Sequence, residues 1–208
     1  MIQEYLLEVK PKTTPLLKKK CKRCDNPRFY CTERFRINSQ KKNIDVWLIY
    51  RCTKCDNSYN AKIISRTNPN DVKKDLFNKF LNNDIETVWK YAFSADLVKI
   101  NCIEFDFASV QYDVIYQVHL ISELLNNENE FIYFNILYSY CFNLRVSAIL
   151  KETLKLSNNQ LAQIFEANII YIHSKDLQKR DKVKNGLTLK IDLNTLKILS
   201  LSWFQGMN

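Results

Sequence analysis

The order of hydrophobic and polar positions predicts strands at the start of the chain and a mixture of helices and strands after it. Residues 29–38 and 45–50 are rich in aromatic and β-branched side chains and read as two strands, with the polar stretch 34–43 crossing between them. Trp47 is assigned to the core of this small segment, and Phe35 suits either its core or its surface. The turn Asn68-Pro69-Asn70-Asp71 precedes a helix, with Asp71 expected as N-cap and Val72, Leu76, Phe77 and Phe80 on one apolar face. Asn82-Asn83-Asp84 opens a second helix through Val88, Trp89, Tyr91 and Ala92. Residues 110–121 and 131–140 are apolar on either side of the polar turn 126–130, which predicts a hairpin or a strand-helix pair. A helix is expected over 145–154. Ser157 caps another over 158–167, with Leu161, Ile164 and Phe165 inward, and Asn168 stops it because Asn tolerates the left-handed conformation. Ile170 and Ile172 alternate as in a strand, and Asn185-Gly186 leads into a further strand over 187–191. The class is α+β. Its expected segments are a β-rich 1–68, a mixed α/β middle at 69–140 and a small α+β module at 141–208.

Charge separates the same three regions. The 208 residues carry a formal charge of +9. Residues 1–68 hold 16 Lys and Arg against 6 acids, residues 69–130 hold 5 against 11, and residues 131–208 hold 10 against 5. Basic ends therefore flank an acidic middle, and basic ends suit a polyanion. A hydrophobic fraction of 46% argues for folded structure throughout, and with only 2 Gly and 4 Pro the segments are expected to pack closely instead of swinging on linkers. No apolar run reaches membrane-spanning length, and Glu4 and Glu8 stand where a signal peptide would carry bases. A cytoplasmic protein is expected.

Two cysteine pairs, Cys21-Lys22-Arg23-Cys24 and Cys52-Thr53-Lys54-Cys55, add chemistry to the β-rich segment. Each pair presents two thiolates from one tight turn, and two such turns can close a tetrahedral site with Cys21, Cys24, Cys52 and Cys55 as ligands of one structural zinc. A zinc ribbon is the fold expected for 1–68. The redox alternative needs one C-x-x-C beside a strand-helix-strand pattern, whereas here there are two in a strand-rich segment. Cys31, Cys102 and Cys141 remain over and are expected to be buried or half-buried thiols. His119 is expected as a core imidazole, and Glu104 and Asp106, flanking Phe105, as a solvated strand edge.

Residues 145–191 resemble the RNA-binding domain named after ribosomal protein S four. The carrying residues are Arg145, Leu156-Ser157, Ala167-Asn168, Ile170-Tyr171-Ile172-His173-Ser174 and Gly186-Leu187. His173 stands where that family has Asn, which implies a turn residue. Asn158-Asn159-Gln160 stand where it commonly has arginines that reach the RNA backbone. The resemblance implies RNA contact through the remaining cations of the module. Phe35-Arg36-Ile37-Asn38, Gln40-Lys41-Lys42, the run from Ile44 to Tyr50 and Trp89-Lys90-Tyr91-Ala92-Phe93 carry a second resemblance. Across nearly its whole length the chain resembles a family of bacterial zinc-ribbon proteins known as domain of unknown function 1062, which implies a fixed pairing of the three segments and imports no activity.

Together these features predict a non-enzymatic RNA-binding protein, with structured ribosomal or transfer RNA as the partner class. Arg34, Arg36, Lys41 and Lys42 of the ribbon, and Arg145, Lys151, Lys155 and Lys175 of the module, are the expected phosphate contacts. The alternative is a protein-protein adaptor of the transcription or translation machinery. A membrane and a small-molecule substrate are not expected, and four cysteines leave a zinc ion no open position for catalysis.

Overall fold

The structure, a computed structural model, describes residues 3–40, 42–116, 121–172 and 175–204. Lys41, His119 and His173 lie outside them. The chain folds as α+β in two compact units, Pro11–Gln111 and the combination of Met1–Lys10 with Tyr112–Asn208. These units are drawn differently from the three segments expected. The turn at 68–71 does not end a unit, and the first ten residues belong with the last hundred.

Strand β1 (Gln3–Pro11) opens the chain. The unit Pro11–Gln111 then contains β2 (Leu16–Lys18), β3 (Arg28–Gln40), β4 (Asn43–Cys52) and β5 (Ser58–Thr67), helices α1 (Lys74–Leu81), α2 (Ile85–Ala92) and α3 (Ala95–Asn101), and β6 (Glu104–Asp106). Its sheet has the order β5-β4-β3-β2-β6, antiparallel throughout. The period of two along β4 buries Ile44, Val46, Leu48 and Tyr50 on one face, where Phe80 of α1, Val88 of α2 and Leu97 of α3 join them. Phe35 is core: its ring meets Phe80 edge-on at 4.8 Å. Trp47 is not. The same alternation that buries its neighbours turns it to the other face, where it is half-buried with the Arg36 guanidinium 6.0 Å from its ring. Asp71 does not cap α1 either. Asn68 caps a short 3-10 turn at Pro69–Asp71 by accepting the Asn70 N–H at 3.0 Å, Val72 is extended, and α1 begins after Lys73 with no side-chain cap. Asp84, at the end of the turn expected to open α2, caps that helix by accepting the Thr87 N–H at 2.9 Å. Asp106 is buried, not solvated, because Arg28 reaches it across the sheet at 2.9 Å. Glu104 is the exposed member of that pair.

The second unit holds β7 (Tyr112–Tyr116), α4 (Ile121–Leu125), β8 (Phe131–Leu137), α5 (Val146–Thr153), α6 (Asn158–Glu166), β9 (Ile170–Ile172), β10 (Lys175–Asp176), β11 (Leu187–Asp192) and α7 (Leu193–Phe204). Its sheet order is β10-β9-β11-β8-β1-β7. β1 pairs with β8 in parallel, Gln3 opposite Ile132 through Glu8 opposite Leu137, so β7 and β8 are not a hairpin and β1 lies between them. One face is fully buried by Leu7, Ile132, Phe134, Ile136 and Leu189, and Ile149 of α5, Ile164 of α6 and Leu196 of α7 are buried as well. α6 is closed at its start by a reciprocal capping box between Ser157 and Gln160 and stopped at Asn168 with φ 51°. Ile164 faces inward, whereas Leu161 and Phe165 are only half-buried. Gly186 takes φ 74° at the turn into β11, a conformation that favours glycine. Among the described residues, no helix is long and apolar enough to cross a membrane.

Candidate metal centre

The two cysteine turns lie at adjacent corners of one sheet, between β2 and β3 and between β4 and β5. They are built alike. The Cys21 N–H donates to the Asn26 carbonyl at 2.8 Å and the Cys52 N–H to the Asn57 carbonyl at 3.0 Å; the Asp25 and Asp56 N–H groups return to the Cys21 and Cys52 carbonyls, each at 3.1 Å. Asp25 and Asp56 adopt φ 56° and 55°, the left-handed step that turns each chain back toward its strand. Within each turn a backbone N–H points at the first sulfur, Arg23 at Cys21 (3.4 Å) and Lys54 at Cys52 (3.5 Å).

This places all four sulfurs within 4.8 Å of one another, Cys21 and Cys52 buried and Cys24 and Cys55 half-buried. Cys21 Sγ is 3.7 Å from Cys55 Sγ, and Cys24 Sγ is 3.5 Å from Cys52 Sγ, so the close pairs join one turn to the other. The group could hold a metal ion. Two side chains missed in the sequence complete it: the Asn26 amide donates to Cys52 Sγ at 3.5 Å and the Asn57 amide to Cys21 Sγ at 3.7 Å, each crossing to the opposite turn. The signal was present, since both turns read Cys-x-x-Cys-Asp-Asn.

Despite burial, N–H groups aimed at the sulfurs favour the thiolate form at both Cys21 and Cys52. Burial works against ionisation of Cys52, but N–H groups of Lys54 and Cys55, with Cys24 and Asn26, outweigh it and pull the thiol down to about 6. For Cys24 the Asn26 N–H acts downward and is outweighed by Cys55, burial and Cys52, which push it up to about 12. A cation in the centre would favour the thiolate form of all four sulfurs.

The remaining cysteines do not join the group. Cys31 is half-buried, and its thiol is pushed up to about 12, mainly by burial. Cys102 and Cys141 are exposed, contrary to expectation. Cys102 takes φ 49° at the end of α3, and Cys141 lies in the segment between β8 and α5. The expected phosphate contacts fall into two sets, one in each unit. Arg34, Arg36 and Lys42 are exposed on β3 and its turn, and Arg145, Lys151, Lys155 and Lys175 are exposed in the second unit. Lys155 Nζ lies 5.9 Å from the Tyr116 ring and Lys151 donates to the Asn158 side chain at 2.6 Å.

The profile of the family described as "Protein of unknown function (DUF1062)" matches residues 37–176, well over half of the chain. The chain belongs to this family. The DUF1062 match contains Cys52 and Cys55 and begins after Cys21 and Cys24, so it is shorter than the near-complete resemblance expected. No curated protein and no solved structure matches the chain.

Proposed function

We propose that the four thiolates hold one structural zinc, making the strands around them a zinc ribbon, and that the protein is a non-enzymatic, cytoplasmic RNA-binding protein. The sulfur spacing carries the zinc reading. Four sulfurs at zinc-sulfur bonds of about 2.3 Å in a tetrahedron stand roughly 3.8 Å apart, and the two measured close pairs, at 3.5 and 3.7 Å, lie near that edge. The donor set is all sulfur and closed, which suits a structural ion. Backbone and amide N–H groups aimed at the sulfurs offset the charge of four thiolates.

The RNA reading rests on the exposed cations. Arg34, Arg36, Lys42, Arg145, Lys151, Lys155 and Lys175 are all exposed, and none is in an ion pair among the described residues. Uncompensated cations of this kind are available for phosphate. The succession of α5, α6, β9 with β10, and β11, with Ser157 at the capping box, supports a likeness to the RNA-binding domain of ribosomal protein S four. Crosslinking the tagged protein in cells and sequencing the bound RNA tests this reading. One structured RNA, bound with a steep salt dependence that becomes shallower by about one unit when one of these cations is removed, supports it. Recovery no better than that of an unrelated basic protein overturns it. The second reading, a protein-protein adaptor, is favoured by α7, whose Ile198 and Leu201 are 68% and 64% exposed. An apolar anchor of that kind resists salt that strips a phosphate-bound complex.

A further inference from the structure

The segment between β10 and β11 holds two of its cations on a frame of hydrogen bonds. Val183 is buried and its N–H donates to the Leu144 carbonyl at 2.9 Å, while the Val146 N–H donates to the Asp181 carbonyl at 3.0 Å. Lys182, between these two bonds, stands opposite Arg145 in an antiparallel bridge. The end of the segment is tied down as well, for the Gly186 N–H donates to the Ile136 carbonyl at 3.0 Å and the Asn185 side chain accepts the Tyr138 N–H at 2.8 Å. Neighbours alternate in direction where a chain pairs in this way, so burial of Val183 sends Lys182 and Lys184 outward together, and both are exposed.

Lys175 joins them from β10. It stands opposite Ile172 of β9, on the same face of the sheet, and is exposed. Lys175, Lys182 and Lys184 line one cavity of about 450 Å³ with Ile172 and with Leu187 of β11, a volume within the range of ligand sites. Asp181 is the one acid among the lining residues, and its carboxylate accepts the Gln178 N–H in its own turn at 2.8 Å. None of the three lysines is in an ion pair among the described residues. The cavity therefore carries a surplus of positive charge beside two apolar side chains.

We infer that this cavity is a phosphate site of the second unit and takes the sugar-phosphate backbone of RNA, with Lys175, Lys182 and Lys184 at the phosphates and Arg145 continuing the row beside Lys182. A lysine ammonium acts on phosphate as a compact point charge and asks for no fixed geometry. Three of them around one cavity exceed what a single phosphate needs, which favours a chain of phosphates. The frame that holds Val183 also positions Lys182 and Lys184 before binding, so less order has to be imposed when the RNA arrives. The inference deepens the RNA reading and rests on it. It adds Lys182 and Lys184 to the contacts of the second unit and gives Lys175 and Arg145 a common site.

Phosphate contacts carry no sequence information, so the experiment titrates the full chain with a short RNA hairpin of mixed sequence across a series of salt concentrations. A cavity variant combines Lys175→Gln, Lys182→Gln and Lys184→Gln, and a second variant, Lys175→Arg, Lys182→Arg and Lys184→Arg, keeps the charge. A control of the same net charge as the cavity variant combines Lys73→Gln, Lys74→Gln and Lys99→Gln, three exposed lysines of the acidic middle. The cavity variant is expected to bind about tenfold or more weakly than the parent and to make the salt slope shallower by about two to three units. The Arg variant and the control are expected to keep the slope of the parent. A cavity variant that loses no more than the control overturns the site and leaves the RNA reading standing. Adenosine monophosphate that binds the parent as tightly as the hairpin, and is lost in the cavity variant, assigns the cavity to a free nucleotide and also overturns it. If the parent does not bind the hairpin even at low salt, both the site and the RNA reading fall.

Discussion

Removing the amide of Asn26 should damage the cysteine centre more than removing that of Asn57, although the two residues hold matching places in matching turns. The Asn26 amide lies 2.9 Å from the Arg28 carbonyl, 2.8 Å from the Thr53 hydroxyl and 3.5 Å from Cys52 Sγ, so it ties its own strand to the opposite turn. Among the described residues, the Asn57 side-chain amide makes only the 3.7 Å contact to Cys21 Sγ. Two well-formed hydrogen bonds contribute roughly 1 kcal/mol each, and a long amide-sulfur contact contributes less. Asn26→Ala is therefore expected to cost about 2 kcal/mol and Asn57→Ala about 0.5 kcal/mol. For a unit of this size the first corresponds to a fall in Tm of roughly 8–16 °C. Thermal unfolding of both variants with zinc present, followed in the signal of the unit Pro11–Gln111, measures the difference. Equal losses, or a larger one for Asn57→Ala, refute the reasoning.

Tyr138 is buried, donates its hydroxyl to the Phe142 carbonyl, which also accepts the Leu144 N–H at 2.7 Å, and accepts the Phe142 N–H at 2.6 Å, so Tyr138→Phe removes two buried hydrogen bonds and should cost about 1–2 kcal/mol in urea unfolding; a loss under about 0.5 kcal/mol contradicts this. Ser157→Ala removes one half of the α6 capping box and should cost about 1 kcal/mol, read in the same assay. The Thr87 hydroxyl and N–H hold Asp84 below its ordinary value of 3.8, so its contribution to stability is present above that pH and is lost as pH falls through the lowered native value. Asp84→Asn should flatten this acid limb of an unfolding titration, and an unchanged limb assigns it to other carboxylates.

What could be read from the sequence was local. The cysteine turns, the strand over 45–50, the turn at 82–84 that opens α2 and the start of α6 at Ser157 each depend on residues a few positions apart, and each stands in the structure as expected. The pairing of β1 with β8 was not legible, because it joins residues more than a hundred positions apart and leaves no mark on either strand's composition. Asp106 was misplaced for a related reason: its burial depends on Arg28 arriving from a different strand. Trp47 shows how strongly the period of two governs a strand, since a large ring was placed outward once Val46 and Leu48 were inward. α7 was overlooked. Its sequence is apolar on nearly every side, with Leu193 and Leu196 buried while Ile198 and Leu201 are exposed, so it offers no clear helical stripe.

The most direct test of the metal centre is the zinc content of the purified chain, measured with that of Cys52→Ser and, as a control outside the group, Cys31→Ser. One zinc per chain is expected in the parent and in Cys31→Ser, whereas Cys52→Ser should lose the ion together with the folded signal of the strands around it. A parent without zinc, or Cys52→Ser that keeps a full equivalent in a folded sheet, contradicts the four-thiolate site.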